Sequence, residues 1–215
     1  MRLLVATKNK GKAAEFAEML RPLGFEVEHL AHRPPDHDDI ATVDETGRSF
    51  IENASLKATG YAKATGLWSL ADDSGLMVDA LGGLPGVDSA NFAELNHAGK
   101  GDAANNALLL ERMSDVADSD RSARFVCVLA LANPQGRVLV TTRGQVEGRI
   151  VRVARGSGGF GYDPLFEVER SGKTTAELSK QEKHAVSHRG RAIRELARLL
   201  DLHRSIFHRE FNAGL

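Results

Sequence analysis

A chain of 215 residues is long enough to bury a sizeable core, as one large domain or two small ones. Its 28 basic and 29 acidic side chains leave a formal net charge of -1, which excludes a broad electrostatic surface for nucleic acid but not a local basic pocket for a small polyanion. Cys127 is the only cysteine, so there is no disulfide framework and no cysteine-rich zinc site; the first apolar run is too short for a signal peptide and none spans a bilayer, so a soluble, cytoplasmic protein without membrane contact is expected.

Leu3 to Thr7 reads as a buried first strand, broken by Lys8-Asn9-Lys10-Gly11-Lys12. A helix follows with Ala13, Phe16, Ala17, Met19 and Leu20 inward. A lysine-rich loop at a helix start gathers amides and ammonium groups suited to a phosphate, although a solvated loop looks the same. It is not a Walker loop, because the Gly-x-x-x-x-Gly-Lys-Ser/Thr spacing is missing. Phe25 to Leu30 alternates as a half-buried strand, and residues 32–44 form a polar loop. His37 stands there among aspartates, but Pro34-Pro35 and the lack of apolar support favour a solvated loop over a metal site. Phe50, Ile51, Ala54, Leu56, Ala58 and Tyr61 have helical spacing, and Ser49 with Glu52 fits a capping box. Glu52, Asn53 and Lys57 on that helix form a polar stripe facing either a site or solvent.

Leu67 to Ala71 reads as a short buried strand ending in Asp72-Asp73, with a turn at Ser74-Gly75 before a second apolar run, Leu76 to Val78. Alternation along a strand sends the two carboxylates to different sides, one to orient a metal or neighbour and one to face a reacting water. Taken alone, Asp-Asp-Ser-Gly is equally good turn chemistry. Leu81 to Gly86 is a loop enforced by glycine and proline, residues 102–114 form a helix, and 123–132 with 137–143 form a β-hairpin that makes the sheet mixed.

Gly156 to Gly161 satisfies Gly-x-Gly-x-x-Gly, yet Pro164 follows at once and prevents the helix that a dinucleotide's pyrophosphate needs. A glycine loop carrying Phe160 and Tyr162 suits stacking on a flat base, or is a run of structural turns. Thr175 to Leu178 starts a short helix, and Ser187 can cap a final helix with His188 and Arg189 at its positive end. That corner is rich in donors for carbonyl or phosphate oxygens, or is plain surface. The tail, about 203–215, carries no motif, and neither a repeat nor a linker divides the chain, so residues 1–215 read as a single domain.

Together these segments resemble the inosine/xanthosine triphosphate pyrophosphatases, which remove non-standard purine nucleotides from the nucleotide pool. The matching elements are Thr7 to Lys12, Glu45-Thr46-Gly47 with Phe50 to Ala54 and Lys57, Ala71 to Leu76, Gly82 to Gly86, Gly159 to Pro164, and Ser187-His188-Arg189. Each is weak alone, but their order is specific over residues 3 to about 200. The departures are the extended acidic loop before Glu45 and the tail. The resemblance implies an α/β fold with a long mixed, twisted β-sheet flanked by helices, two lobes with an active-site cleft between them, and a homodimer. It implies magnesium-dependent hydrolysis of ITP, dITP and XTP to the monophosphate and pyrophosphate. Thr7, Lys8, Asn9, Lys10, Gly11, Lys12 and Lys57 would then bind the triphosphate. Glu45 and Asp73 would hold metal with Asp72 in support, Asp73 would be the general base, and Ser74 would touch substrate. Phe160, Gly161, Tyr162, Asp163, Lys183, His188 and Arg189 would bind the nucleotide and its base. Two rivals stand beside this. Maf-type nucleotide pyrophosphatases share architecture and reaction, but their Ser-x-Arg-Arg signature is absent at Thr7 to Lys10. A non-catalytic nucleotide sensor would keep the lysines and Phe160 without needing Asp73 and Glu45 together.

Overall fold

The computed structural model describes residues 2–30 and 41–203. His37, most of the polar loop and the tail from 204 onward lie outside the described residues. The elements run β1 (Arg2–Val5), α1 (Lys10–Leu20), β2 (Glu26–His29), α2 (Phe50–Thr65), β3 (Trp68–Val78), α3 (Phe92–Leu95), α4 (Gly101–Arg112), β4 (Ser122–Ala132), β5 (Val138–Ile150), β6 (Phe166–Val168), α5 (Lys180–Val186) and α6 (His188–Leu202). The fold is α/β: one six-stranded sheet in the order β2-β1-β3-β4-β5-β6, with helices against it. β1 pairs in parallel with β2 and with β3, whereas β5 and β6 are antiparallel, so the sheet is mixed as expected.

The described residues form two compact units, one of 2–30, 41–73, 127–144 and 190–203, the other of 74–126 and 145–189. The first has a core of Leu3, Val5, Phe16, Leu20, Leu70, Leu129, Leu131 and Ile193, drawn from β1, α1, β3, β4 and α6. Burying each such aliphatic side chain stabilises the fold by about 1.5–3 kcal/mol. In the second, Leu76, Leu109, Met113, Phe125, Ile150, Tyr162 and Phe166 pack together, with the Phe125 and Phe166 rings 4.7 Å apart.

Local chemistry explains most boundaries. Asn9 caps α1 by accepting from the Lys12 N–H at 3.0 Å. Ser49 caps α2 by accepting from the Glu52 N–H at 3.3 Å, and Gly66 ends that helix in the left-handed region. The reciprocal half of the expected capping box is displaced by one residue, since the Glu52 carboxylate accepts from the Arg48 N–H instead. The largest departure from expectation is at Ser74-Gly75. No turn forms there, and β3 continues for 11 residues through both acids. Backbone pairing on a nearly wholly buried strand overrides the local turn preference of Asp-Asp-Ser-Gly.

Candidate active site

Because β3 runs straight through them, Asp72 and Asp73 keep strict alternation and face different helices. Asp72 accepts from Lys12 Nζ of α1 at 2.8 Å. Asp73 faces α2, accepting from Asn53 Nδ2 at 3.2 Å, with Lys57 Nζ 3.6 Å from its other oxygen. Asn53 and Lys57 are four apart, so one face of α2 presents both. Lys57 Nζ also donates to Glu45 Oε2 at 2.6 Å. One ammonium thus gathers Glu45 and Asp73, two carboxylates that are 28 residues apart in sequence. Glu52, expected on the same stripe, points away and is spent on the Arg48 backbone.

Asn53, which the polar stripe of α2 sets beside Lys57 but to which no site role was assigned, belongs to this array. Its Oδ1 accepts from the Gly47 N–H at 2.8 Å, so one amide ties the Glu45-Thr46-Gly47 segment to Asp73. A Cβ at Gly47 would lie 2.7 Å from that Oδ1, which is why glycine stands there. The available signal was the four-residue spacing to Lys57.

Electrostatics follow from burial. The Asp73 side chain is only 7% exposed, and burial pushes its pKa up to about 6, against the pull of Lys57, Lys12 and the Asn53 bond. Burial disfavours the Lys57 ammonium too, but Asp72, Asp73 and Glu45 outweigh it and hold its pKa above the ordinary value. Asp73, Asp72 and Glu45 thus share two ammonium groups, those of Lys57 and Lys12. Of the other residues in the lysine loop, Thr7 accepts from the Asn9 N–H, Lys8 reaches Thr42, and Lys10 is exposed at the start of α1.

The second unit gathers the remaining expected residues. The Phe160 ring has Lys183 Nζ 5.0 Å and the Arg189 guanidinium 5.4 Å from its centroid. Arg189 Nη2 lies 3.3 Å from Ser74 Oγ, and His188 stacks on Phe125 with centroids 4.9 Å apart and ring planes 15° from parallel. His188 and Arg189 are both buried, so this corner is not plain surface. Asp163 is turned inward. Its carboxylate accepts from Lys183 Nζ at 2.7 Å, Phe160 N–H at 2.9 Å and Thr175 Oγ1 at 2.9 Å. Tyr162 is part of the core, its hydroxyl donating to the Ser89 carbonyl at 2.9 Å, and burial pushes its pKa up. Of the two aromatics proposed to stack on a base, only Phe160 keeps a partly exposed ring. Lys183 is carried by α5, which was missed although Ser179-x-x-Glu182 is a complete capping box. The helix expected from Thr175 is a single 3-10 turn, Thr175–Glu177, separate from α5.

A mixed α/β sheet with paired acids on a central strand and lysines of two helices drawn onto them defines the class of the fold and its charged cluster. The chain belongs to the Ham1 family, whose model matches residues 3–199. It is 54% identical over 196 residues to a dITP/XTP pyrophosphatase of Exiguobacterium sp., covering 91% of this chain and 95% of that protein. A dITP/XTP pyrophosphatase of Desulforamulus reducens is 47% identical over 201 residues, covering 94% and 96%. Among solved structures, a HAM1 protein from Coxiella burnetii superposes with a TM-score of 0.79 at 41% identity, over 94% of this chain and 98% of that one. The nucleoside-triphosphatase / dITP/XTP pyrophosphatase of Mycobacterium abscessus gives 0.70 at 45% identity, over 91% and 98%.

Proposed function

We propose that this chain hydrolyses the non-standard purine triphosphates dITP, ITP and XTP to the nucleoside monophosphate and pyrophosphate. The observation that carries the reading is the Glu45–Lys57–Asp73 array, with Asp73 raised to about 6, in a chain that matches dITP/XTP pyrophosphatases along nearly their whole length. In the metal-free site, a carboxylate with that pKa is ionised near neutral pH yet is a better proton acceptor than an ordinary aspartate. Asp73 Oδ would take a proton from the water that attacks the α-phosphorus. As the new P–O bond forms, the bond to the bridging oxygen of the β-phosphate breaks and pyrophosphate leaves with that electron pair. Lys12 and the α1 N-terminus, with Lys8 and Lys10, offer positive charge for the phosphates. Asp72 holds Lys12 in place.

The donor set fits magnesium. Glu45 and Asp73 are hard oxygen donors that already converge on one cation, the Lys57 ammonium. Bound there, the ion would neutralise triphosphate charge and lower the pKa of the attacking water. Phe160 would stack on the purine. His188 and Arg189 would donate to the oxygen at purine position 6, where adenine's amino group would leave them opposed by a second donor. Asp163 and Tyr162 act as supports for this loop, given how fully their polar atoms are engaged inside it. A nucleotide sensor would have no use for Glu45 and Asp73 gathered together by one lysine. A homodimer in the cytoplasm is the setting the family resemblance implies, and no helix among the described residues is long and apolar enough to cross a membrane.

The test is product stoichiometry. With ITP and magnesium the protein should release IMP and pyrophosphate in equal amounts. Release of single phosphate with IDP would overturn the assignment.

A further inference from the structure

Helix α4 carries three polar residues on one face, Asp102, Asn105 and Asn106, none of which belongs to the set assigned above. The Asp102 carboxylate accepts from the Gly161 N–H at 2.6 Å, and Asn106 Nδ2 donates to the Gly161 carbonyl at 3.0 Å. Spacing of four residues stacks the two side chains on adjacent turns, so both backbone polar groups of one glycine are held by one helix. Gly161 has φ +61° and sits inside a turn in which the Asp163 N–H donates to the Phe160 carbonyl at 3.3 Å, a conformation that strongly favours glycine. Asn105 extends the hold by one residue. It donates to the Ala90 carbonyl at 3.0 Å and the Ser89 carbonyl at 3.4 Å, and the Tyr162 hydroxyl donates to that same Ser89 carbonyl.

The loop needs this support. Residues 156, 158, 159 and 161 are all glycine, so its backbone has wide conformational freedom to lose. Of the two cations over the Phe160 ring, Lys183 is tied to the loop itself through Asp163, whereas Arg189 is fixed from outside it by its place at the start of α6 beside Ser74. Where the ring sits relative to Arg189 is therefore decided by the loop backbone. A base must stack on that ring and meet the Arg189 corner at once, and a displacement of about 1 Å is enough to lose one of the two.

We propose that Asp102 and Asn106 are positioning residues for base selectivity, acting through the Gly161 backbone to set the Phe160 ring. This rests on the assignment of Phe160 and Arg189 to the base. The test compares Asp102→Ala, Asp102→Asn and Asn106→Ala with wild type in two measurements that need no turnover. The first is amide hydrogen exchange of the segment 157–163 in the free protein. The second is calorimetric binding of IMP and AMP. We expect the two alanine variants to exchange this segment at least ~10-fold faster and to bind IMP about 5- to 30-fold more weakly, with a reduced IMP over AMP preference, on the scale of one lost hydrogen bond to a charged or backbone group. Asp102→Asn keeps a carbonyl oxygen for the Gly161 N–H and should restore both. With ITP as substrate, the loss should fall on KM while kcat stays within about 3-fold, as expected when binding rather than the chemical step is affected. Unchanged exchange would overturn the clamp, and so would faster exchange with unchanged IMP affinity and preference, since the contact would then be structural only. A wild type that binds IMP but releases no pyrophosphate from ITP would refute the hydrolase reading alone, leaving the binding arms to decide this one.

Discussion

Asp73→Asn should inactivate the protein and, at the same time, make it more stable above pH 7. The wild-type carboxyl is raised from 3.8 to about 6 mainly by burial. About two pKa units correspond to roughly 3 kcal/mol of differential cost for holding the charge in the folded state. The sign follows from proton counting. Between the unfolded and folded pKa values the native state binds more protons than the unfolded chain, so stability falls as pH rises from about 4 to 6 and stays reduced above that. Asparagine has nearly the same shape, carries no charge to desolvate, and still offers an oxygen to Asn53 Nδ2. The pull of Lys57, 3.6 Å away, is already contained in that shift and is not subtracted again. The net expected at pH 8 in metal-free buffer is about 3 kcal/mol, or a Tm increase of roughly 6–12 °C for a chain of this size. At pH 4.5 the native carboxyl is mostly protonated while the unfolded one is mostly ionised, so only about a third of the difference should remain. Pyrophosphate release from ITP should fall at least ~10²-fold, the usual worth of a general base. Calorimetric melting at the two pH values decides the matter. A variant less stable than wild type at pH 8, or a gain of equal size at pH 4.5, would refute the assignment of a buried, costly charge to Asp73.

Two further outcomes test the residues proposed to bind the base. Arg189→Ala should lower kcat/KM for ITP more than for ATP, shrinking discrimination by about 1–3 kcal/mol, whereas a phosphate-binding arginine would lower both equally and leave the ratio unchanged. Tyr162→Phe removes a buried hydroxyl bonded to the Ser89 carbonyl, so thermal unfolding should show a loss of about 1–2 kcal/mol while KM for ITP stays within twofold; a large KM rise with normal stability would return Tyr162 to the base site.

Much of this arrangement was legible in the order of residues. The alternation rule separated Asp72 from Asp73, and helical spacing placed Lys57 on the same face as Asn53. Both are local geometry, which spacing encodes directly. Three things were not legible. Ser74-Gly75 reads as a turn because the pairing that keeps β3 extended comes from strands distant in sequence. Asp163 and Tyr162 sit in the loop that reads as a base grip, and nothing local shows that Thr175, Lys183 and the Ser89 carbonyl will claim their polar atoms first. Asp102 and Asn106 look like ordinary polar residues at the start of a helix, because their partner is backbone some 55 to 59 residues away. Backbone partners leave no chemical trace in a sequence.

Lys57 also bears on how this chain survives without a metal. Carboxylates gathered to receive a divalent ion ordinarily repel one another until it arrives, which makes folding wait on supply. Here the counter-charge is built into two helices: Lys57 of α2 already bridges Glu45 and Asp73, and Lys12 of α1 covers Asp72. Removal of the proposed magnesium by chelation should therefore change the melting temperature little. Under that proposal Lys57 would give up its place between Glu45 and Asp73 to the ion, so the lysine that holds the two carboxylates together would be freed for the triphosphate.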